Sequence, residues 1–204
     1  MLNEPQLAAL TLLFHRGSNE ASLALSRWVD RRARVSVDRV EQVALADAAG
    51  ELGDPEQPIC CCLMSLAGGV TGQLLMTFDN AHGLALADII QGLPAGTSKE
   101  WGEMERSAVL ETANILGCAY LNALARSFAT TDAAADVLLP SPPRFARDFA
   151  ASLLSFALLD QAAASDLVFL THTEFHIEDS PLTCELLLIP DRHCLAALRH
   201  VFDH

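Results

Sequence analysis

The sequence is short of cations. Its 204 residues carry 13 Lys and Arg against 26 Asp and Glu, a formal charge of −13. Phosphate backbones are bound by clustered Lys and Arg, so a nucleic-acid partner is not expected. The same deficit argues against docking on an anionic membrane, whereas a partner with a cationic rim fits. The chain lacks a basic segment followed by a short apolar one at its start, so no secretory signal is expected. It also lacks any run of about 18 residues free of charged or strongly polar groups, so no membrane span is expected. The sequence therefore points to the cytoplasm. There is no CxxC among the six cysteines. Three are adjacent, Cys60-Cys61-Cys62, and neighbours on a strand point to opposite faces, so they suit neither mutual disulfides nor a metal clamp. All six read as small buried hydrophobes. Gly68, Gly69 and Gly72 are followed by no lysine or helix start, which makes them a turn and not a phosphate loop. No Ser-His-Asp pattern stands out.

What is present is apolar residue in quantity, 51% of the chain, arranged with helical and strand periods in alternation. Residues 2–28 read as a helix starting near Asn3 or Glu4, 33–43 as a strand, and 44–58 as a helical turn or loop. ICCCLMSL and TGQLLMTF read as a hairpin across Gly68-Gly69. AHGLALADIIQG reads as an amphipathic helix stopped by Gly92 and Pro94. Thr97 and Glu100 form a candidate capping box for a second long helix ending near Ser127. ADVLLPS follows as a short strand and RFARDFAASLLSFALLDQAA as a helix. DLVFLTHTEFHIE and LTCELLLIP make a second hairpin, joined by Asp179-Ser180-Pro181. A closing helix begins at Pro190 or Asp191. Sliding the chain on itself by 99 residues aligns the two long helices, Glu4 with Glu103 and Arg27 with Arg126. The expectation is one α+β domain spanning 1–204, made of two duplicated, pseudo-twofold α-β-x-β-β-α halves, about 1–96 and 97–204.

The stretch SAVLETANIL, residues 107–116, is the exception to apolar patterning. Ser107, Glu111 and Asn114 recur at spacings of four and three, the spacing of neighbours on one helix face. At 100° per residue they fall with Cys118 within about 60° of one another, opposite a stripe of Val109, Ala113, Leu116, Tyr120 and Ala123. The matching positions of the first helix are Ala8, Leu12 and His15. One copy of the helix does without the triplet, so neither the helix nor its packing demands it.

The run LADIIQGLPAGTSKEWGEMERSAVLETANILGCAYLNALA resembles the CheC family of chemotaxis phosphatases. The family motif is Asp or Ser, three residues, Glu, two residues, Asn, and a later proline. Ser107, Glu111 and Asn114 fit the first three places, and Pro142 of PSPP, or Pro140, the last. Only the second of two motif copies is intact. The resemblance implies a phosphatase acting on the aspartyl phosphate of a CheY-type receiver domain. The receiver brings Mg²⁺ and a lysine, so no cofactor or metal is expected in this chain. Asn114 would position the attacking water, as a glutamine does in GTPases. Glu111 would pair with the receiver's lysine, and Ser107 and Pro142 would serve docking. The alternative is a non-catalytic module of the same fold that docks a receiver, a CheD-type deamidase or a flagellar-switch component.

Other candidates weigh less. His172, Glu174 and His176 share one face of a strand and could hold a surface metal, or be its solvated side with Thr171, Thr173, Phe175 and Ile177 inward. His200 and His204 lie at a terminus, and His15 reads as a surface residue.

Overall fold

The computed structural model describes residues 1–68, 71–128, 138–158, 166–177 and 180–202. Helix α1 (Glu4–Val29) opens on a reciprocal cap. The Asn3 side chain accepts the Gln6 N–H at 2.9 Å, and the Gln6 side chain accepts the Asn3 N–H at 2.9 Å. Strand β1 (Ala33–Ala44) is tied back along α1 by two serines. Ser26 Oγ accepts the Ala33 N–H at 2.9 Å and Ser22 Oγ the Val35 N–H at 2.8 Å. A 3-10 helix (Ala48–Leu52) leads to the antiparallel pair β2 (Ile59–Gly68) and β3 (Gly72–Phe78). Residue 69, assigned to the turn, lies outside the described residues. Helix α2 (Asn80–Ile90) follows, with Gly92 beyond it at φ 75.

Two segments differ from the sequence expectation. The long helix α3 (Glu103–Phe128) does not start at Thr97. The Thr97 and Ser98 N–H groups donate instead to the fully buried Asp88 carboxylate, at 2.7 and 3.0 Å, which fastens this segment to α2. The helix is capped from inside its first turn: Glu105 accepts the Gly102 N–H at 3.1 Å and the Ser98 hydroxyl at 3.1 Å. These bonds, after that from its own N–H, hold the Glu105 carboxyl below its usual range despite the opposing effect of burial. The second correction concerns RFARD, read as the start of a helix. After β4 (Leu138–Pro140) it forms β5 (Arg144–Asp148), antiparallel to β2 from Ile59 to Leu63. Only Ala150–Leu158 is helical (α4), and residues 159–165 lie outside the described ones. The second hairpin is β6 (Leu167–Ile177) and β7 (Ser180–Pro190). Asp191 caps the closing helix α5 (Arg192–Phe202), accepting the Cys194 N–H at 2.7 Å.

The seven strands form one antiparallel sheet in the order β1-β6-β7-β3-β2-β4, with β5 also on β2. Strand β1 pairs with β6 and β4 with β2, so strands from the two ends of the chain interleave. Helices α1, α2, α3 and α5 cover one face, over Cys60, Cys62, Met64, Leu74 and Met76. The 3-10 helix and α4 cover the other, over Cys61, Leu63, Leu75 and Leu187. The three adjacent cysteines thus alternate between two cores. All six are free and five are buried; burial pushes Cys60 and Cys61 up to about 12. Helix α3 is long and apolar enough over Glu103–Arg126 to cross a membrane by length and composition alone, but 61% of its most apolar window is buried within the fold. It is the central core helix. It packs beside α1, with Tyr120 stacked on Phe14 at 5.1 Å and Arg126 paired with Glu20.

Candidate functional site

The polar triplet stands on α3. Val109, Ala113, Leu116, Tyr120 and Ala123, the expected inner stripe, are all buried, none more than 2% exposed. Facing away from them, Ser107 and Glu111 are exposed, and Asn114 and Cys118 are half-buried. Among the described residues nothing hydrogen-bonds or ion-pairs with the Glu111 carboxylate. The Cys118 thiol lies 3.8 Å from Asn114 Oδ1, its weak donor; burial first, then the charge of Glu111, pushes the thiol's pKa up and keeps it protonated. The corresponding places on α1 are also open to solvent: Ala8 and His15 are exposed, and Leu12 is 51% exposed. The core therefore specifies neither Leu12 nor Glu111.

The triplet lines a groove of about 730 Å³ with Glu103, Arg106, Leu110 and Cys118 along α3. Pro140, Ser141, Pro142 and Pro143 form the opposite wall. That wall is fixed. Ser141 N–H donates to Ser65 O at 2.8 Å, and Ser141 Oγ accepts the Ser65 N–H at 3.0 Å, so the proline loop is clipped to β2. The structure brings Ser107, Glu111, Asn114, Pro140 and Pro142 to one groove, and both candidate prolines border it. A second recess, holding Glu20, Ala24, Asn122 and again Asn114, lies between α1 and α3.

Sequence reading missed Arg106, Ser141 and Asp88. Arg106 lies about 100° round the helix from Ser107, off the face that the triplet defines, so the spacing does not point to it. The other two act through backbone bonds that no spacing reveals. The histidine strand is not a cluster. His172 Nδ1 lies 3.5 Å from Glu185 and His176 Nε2 3.3 Å from Glu174, two separate pairs. Among the described residues no group of three or more His, Cys, Asp or Glu could hold a metal ion. His15 and His200 are exposed, and His204 lies outside the described residues.

A neutral amide and an unpaired carboxylate, one helical turn apart at an open groove, can order a water and hold a cation of a docked partner. No protein-family model matches the chain. Over 196 residues it is 22% identical to the CheY-P phosphatase CheC of Bacillus subtilis, covering 93% of this chain and 90% of that protein. The fold matches Thermotoga maritima FliY with a TM-score of 0.77 at 16% identity, covering 100% of this chain and 98% of FliY. It also matches the FliM middle domain of H. pylori with a TM-score of 0.68 at 11% identity, covering 99% of each chain. The resemblance carried by residues 107–114 thus extends over nearly the whole chain in sequence, and the chain has the α+β fold of FliY and the FliM middle domain.

Proposed function

We propose that this chain is a phosphatase of phosphorylated CheY-type receiver domains, working through Glu111 and Asn114 in a cytoplasmic setting. The observation that carries the reading is the pair itself. A carboxylate without a partner among the described residues and a half-buried amide lie side by side on a rigid helix, against a groove whose far wall is clipped in place. The CheC relative is a CheY-P phosphatase, which supplies the substrate class.

Hydrolysis of an aspartyl phosphate needs an in-line water and neutralised charge, and little covalent chemistry from a helper. In this reading α3 inserts the 107–114 face into the receiver's site. The Asn114 amide accepts from and donates to the attacking water, placing it in line. Glu111 accepts from the receiver's lysine and fixes the docked pose. Ser107, at the exposed rim, and Pro142, on the facing wall, contact the receiver's surface. The Mg²⁺ belongs to the receiver, and no group of this chain acts as general base. The test is the rate of dephosphorylation of receiver domains charged with acetyl phosphate, with wild-type chain and with Glu111→Ala plus Asn114→Ala. Acceleration by the wild type alone is expected; equal acceleration by both would overturn the assignment.

A second reading is supported by the match to FliM, which in H. pylori is also seen in complex with FliG and with SpeE. Here the chain is a module that docks a receiver, a CheD-type deamidase or a flagellar-switch component without catalysis. Binding without acceleration would select it.

A further inference from the structure

Beside the motif groove lies another of about 690 Å³, lined by Pro58, Lys99, Trp101, Arg106, Arg147 and Phe149 among others. The two grooves share Arg106. Its guanidinium sits over the Phe145 ring at 5.7 Å, and that ring packs on Trp101 at 4.7 Å. Trp101 is in turn held by its Nε1–H donating to Asn80 Oδ1 at 2.9 Å. Arg106 is thus braced by two aromatic rings that line this second groove. Among the described residues no carboxylate pairs with Arg106 or Arg147, and Lys99, the chain's one lysine, donates to a carbonyl, Gly96 O at 2.6 Å. Glu100 and Asp148 also line this groove, and Asp148 is engaged by the Phe149 N–H at 2.7 Å. Phe149 is 47% exposed beside them. In a chain of charge −13, this groove gathers three cations without acidic partners and an exposed ring.

We propose that this second groove is a docking site for an acidic segment of the same receiver domain whose phosphorylated site the α3 motif enters; the proposal rests on the phosphatase reading for the identity of that partner. Continuity decides the occupant. A body resting on Ser107 and Glu111 extends over Arg106 into the neighbouring groove, and cations left unpaired in an acidic protein are matched by carboxylates on that body. The site sets which receiver is accepted, while Glu111 and Asn114 carry the chemistry. Arg147 and Lys99 are exposed, so their replacement leaves the core untouched.

The experiment titrates a CheY-type receiver, held in its active form by beryllofluoride and Mg²⁺, with wild type, Arg147→Glu and Lys99→Glu plus Arg147→Glu, and measures turnover on the acetyl-phosphate-charged receiver. Arg147→Glu is expected to weaken binding about 10-fold, with unchanged maximal rate, unchanged circular dichroism and a shallower salt dependence. Arg147→Lys should restore most of the affinity. Unchanged affinity and salt dependence in the double variant would overturn the docking site while leaving the phosphatase reading intact. A wild-type chain that binds without turnover, and binds less well as Arg147→Glu, would overturn the phosphatase reading and support the docking site. Failure of the wild type to bind would overturn both.

Discussion

At the scale of single residues, the proposed site reduces to two side chains with separable duties. Asn114 is assigned to water and Glu111 to pose, so their losses should differ in kind. Asn114→Ala should keep receiver affinity and lose about 10²-fold in maximal rate, the usual cost of misplacing a reacting group. The control is His15→Ala at the matching place on α1, expected to be silent; equal loss there would move the site to the other helix. Glu111→Ala should act mainly on half-saturation. Removing one member of a pair that becomes sheltered on docking costs about 2–5 kcal/mol, and Glu111→Gln, which keeps acceptor capacity, should cost less. Steady-state kinetics at several receiver concentrations separates the two signatures. This much was legible in sequence, because an i, i+4, i+7 polar face on an otherwise apolar helix is a local pattern. Arg106 and the Ser141 clip were not. One gains its setting from Phe145 and the other from β2, partners remote in sequence.

At the scale of elements, the sequence was most readable where period and end signals agreed. Asn3 with Gln6 caps α1, and the alternation of 33–43 is β1. It misled where a local pattern competed with a distant partner. In RFARDF, Phe145 and Phe149 at i, i+4 imitate a helical stripe, but β2 offers a ladder from Ile59 to Leu63 and takes the segment as β5. TSKE has the letters of a capping box, yet Asp88 claims the Thr97 and Ser98 N–H groups and the helix begins at Glu103. The angle of α3 to α1 has its own determinant. Gly17 faces Tyr120, and a Cβ built there would overlap the ring and lie 3.0 Å from the Tyr120 Cα. Backbone on one side leaves little room to yield. Gly17→Val should therefore cost about 1–3 kcal/mol, as overpacking does. That corresponds to a fall in Tm of about 2–12 °C, measurable by calorimetry. Because α3 carries the motif, receiver affinity should fall with it; unchanged Tm would show that the helices part without cost.

At the scale of the whole molecule, the decisive property is asymmetry. The sheet order reads alike from both ends once the halves are exchanged, so both long helices lie on the same face with a solvent-facing stripe each. Only α3 places a carboxylate and an amide three residues apart at the matched positions, where α1 has Leu12 and His15. Leu12 stands half-exposed where Glu111 has its counterpart, and an apolar side chain pressed against a receiver's lysine would leave that charge without compensation. One receiver per chain is therefore expected, bound through residues 107–114. The charge of −13 against a partner with a cationic rim adds a second expectation, that association slows as salt rises. The local cations of the neighbouring groove do not reverse it, since they too act by opposite charge. Titration calorimetry with a beryllofluoride-loaded receiver at two salt concentrations reads both quantities. A stoichiometry of two equivalent receivers would mean that the α1 face still works. A single receiver held equally well after Glu111→Ala plus Asn114→Ala would place docking away from the motif, and with it the weight of the structure would pass to the adaptor reading.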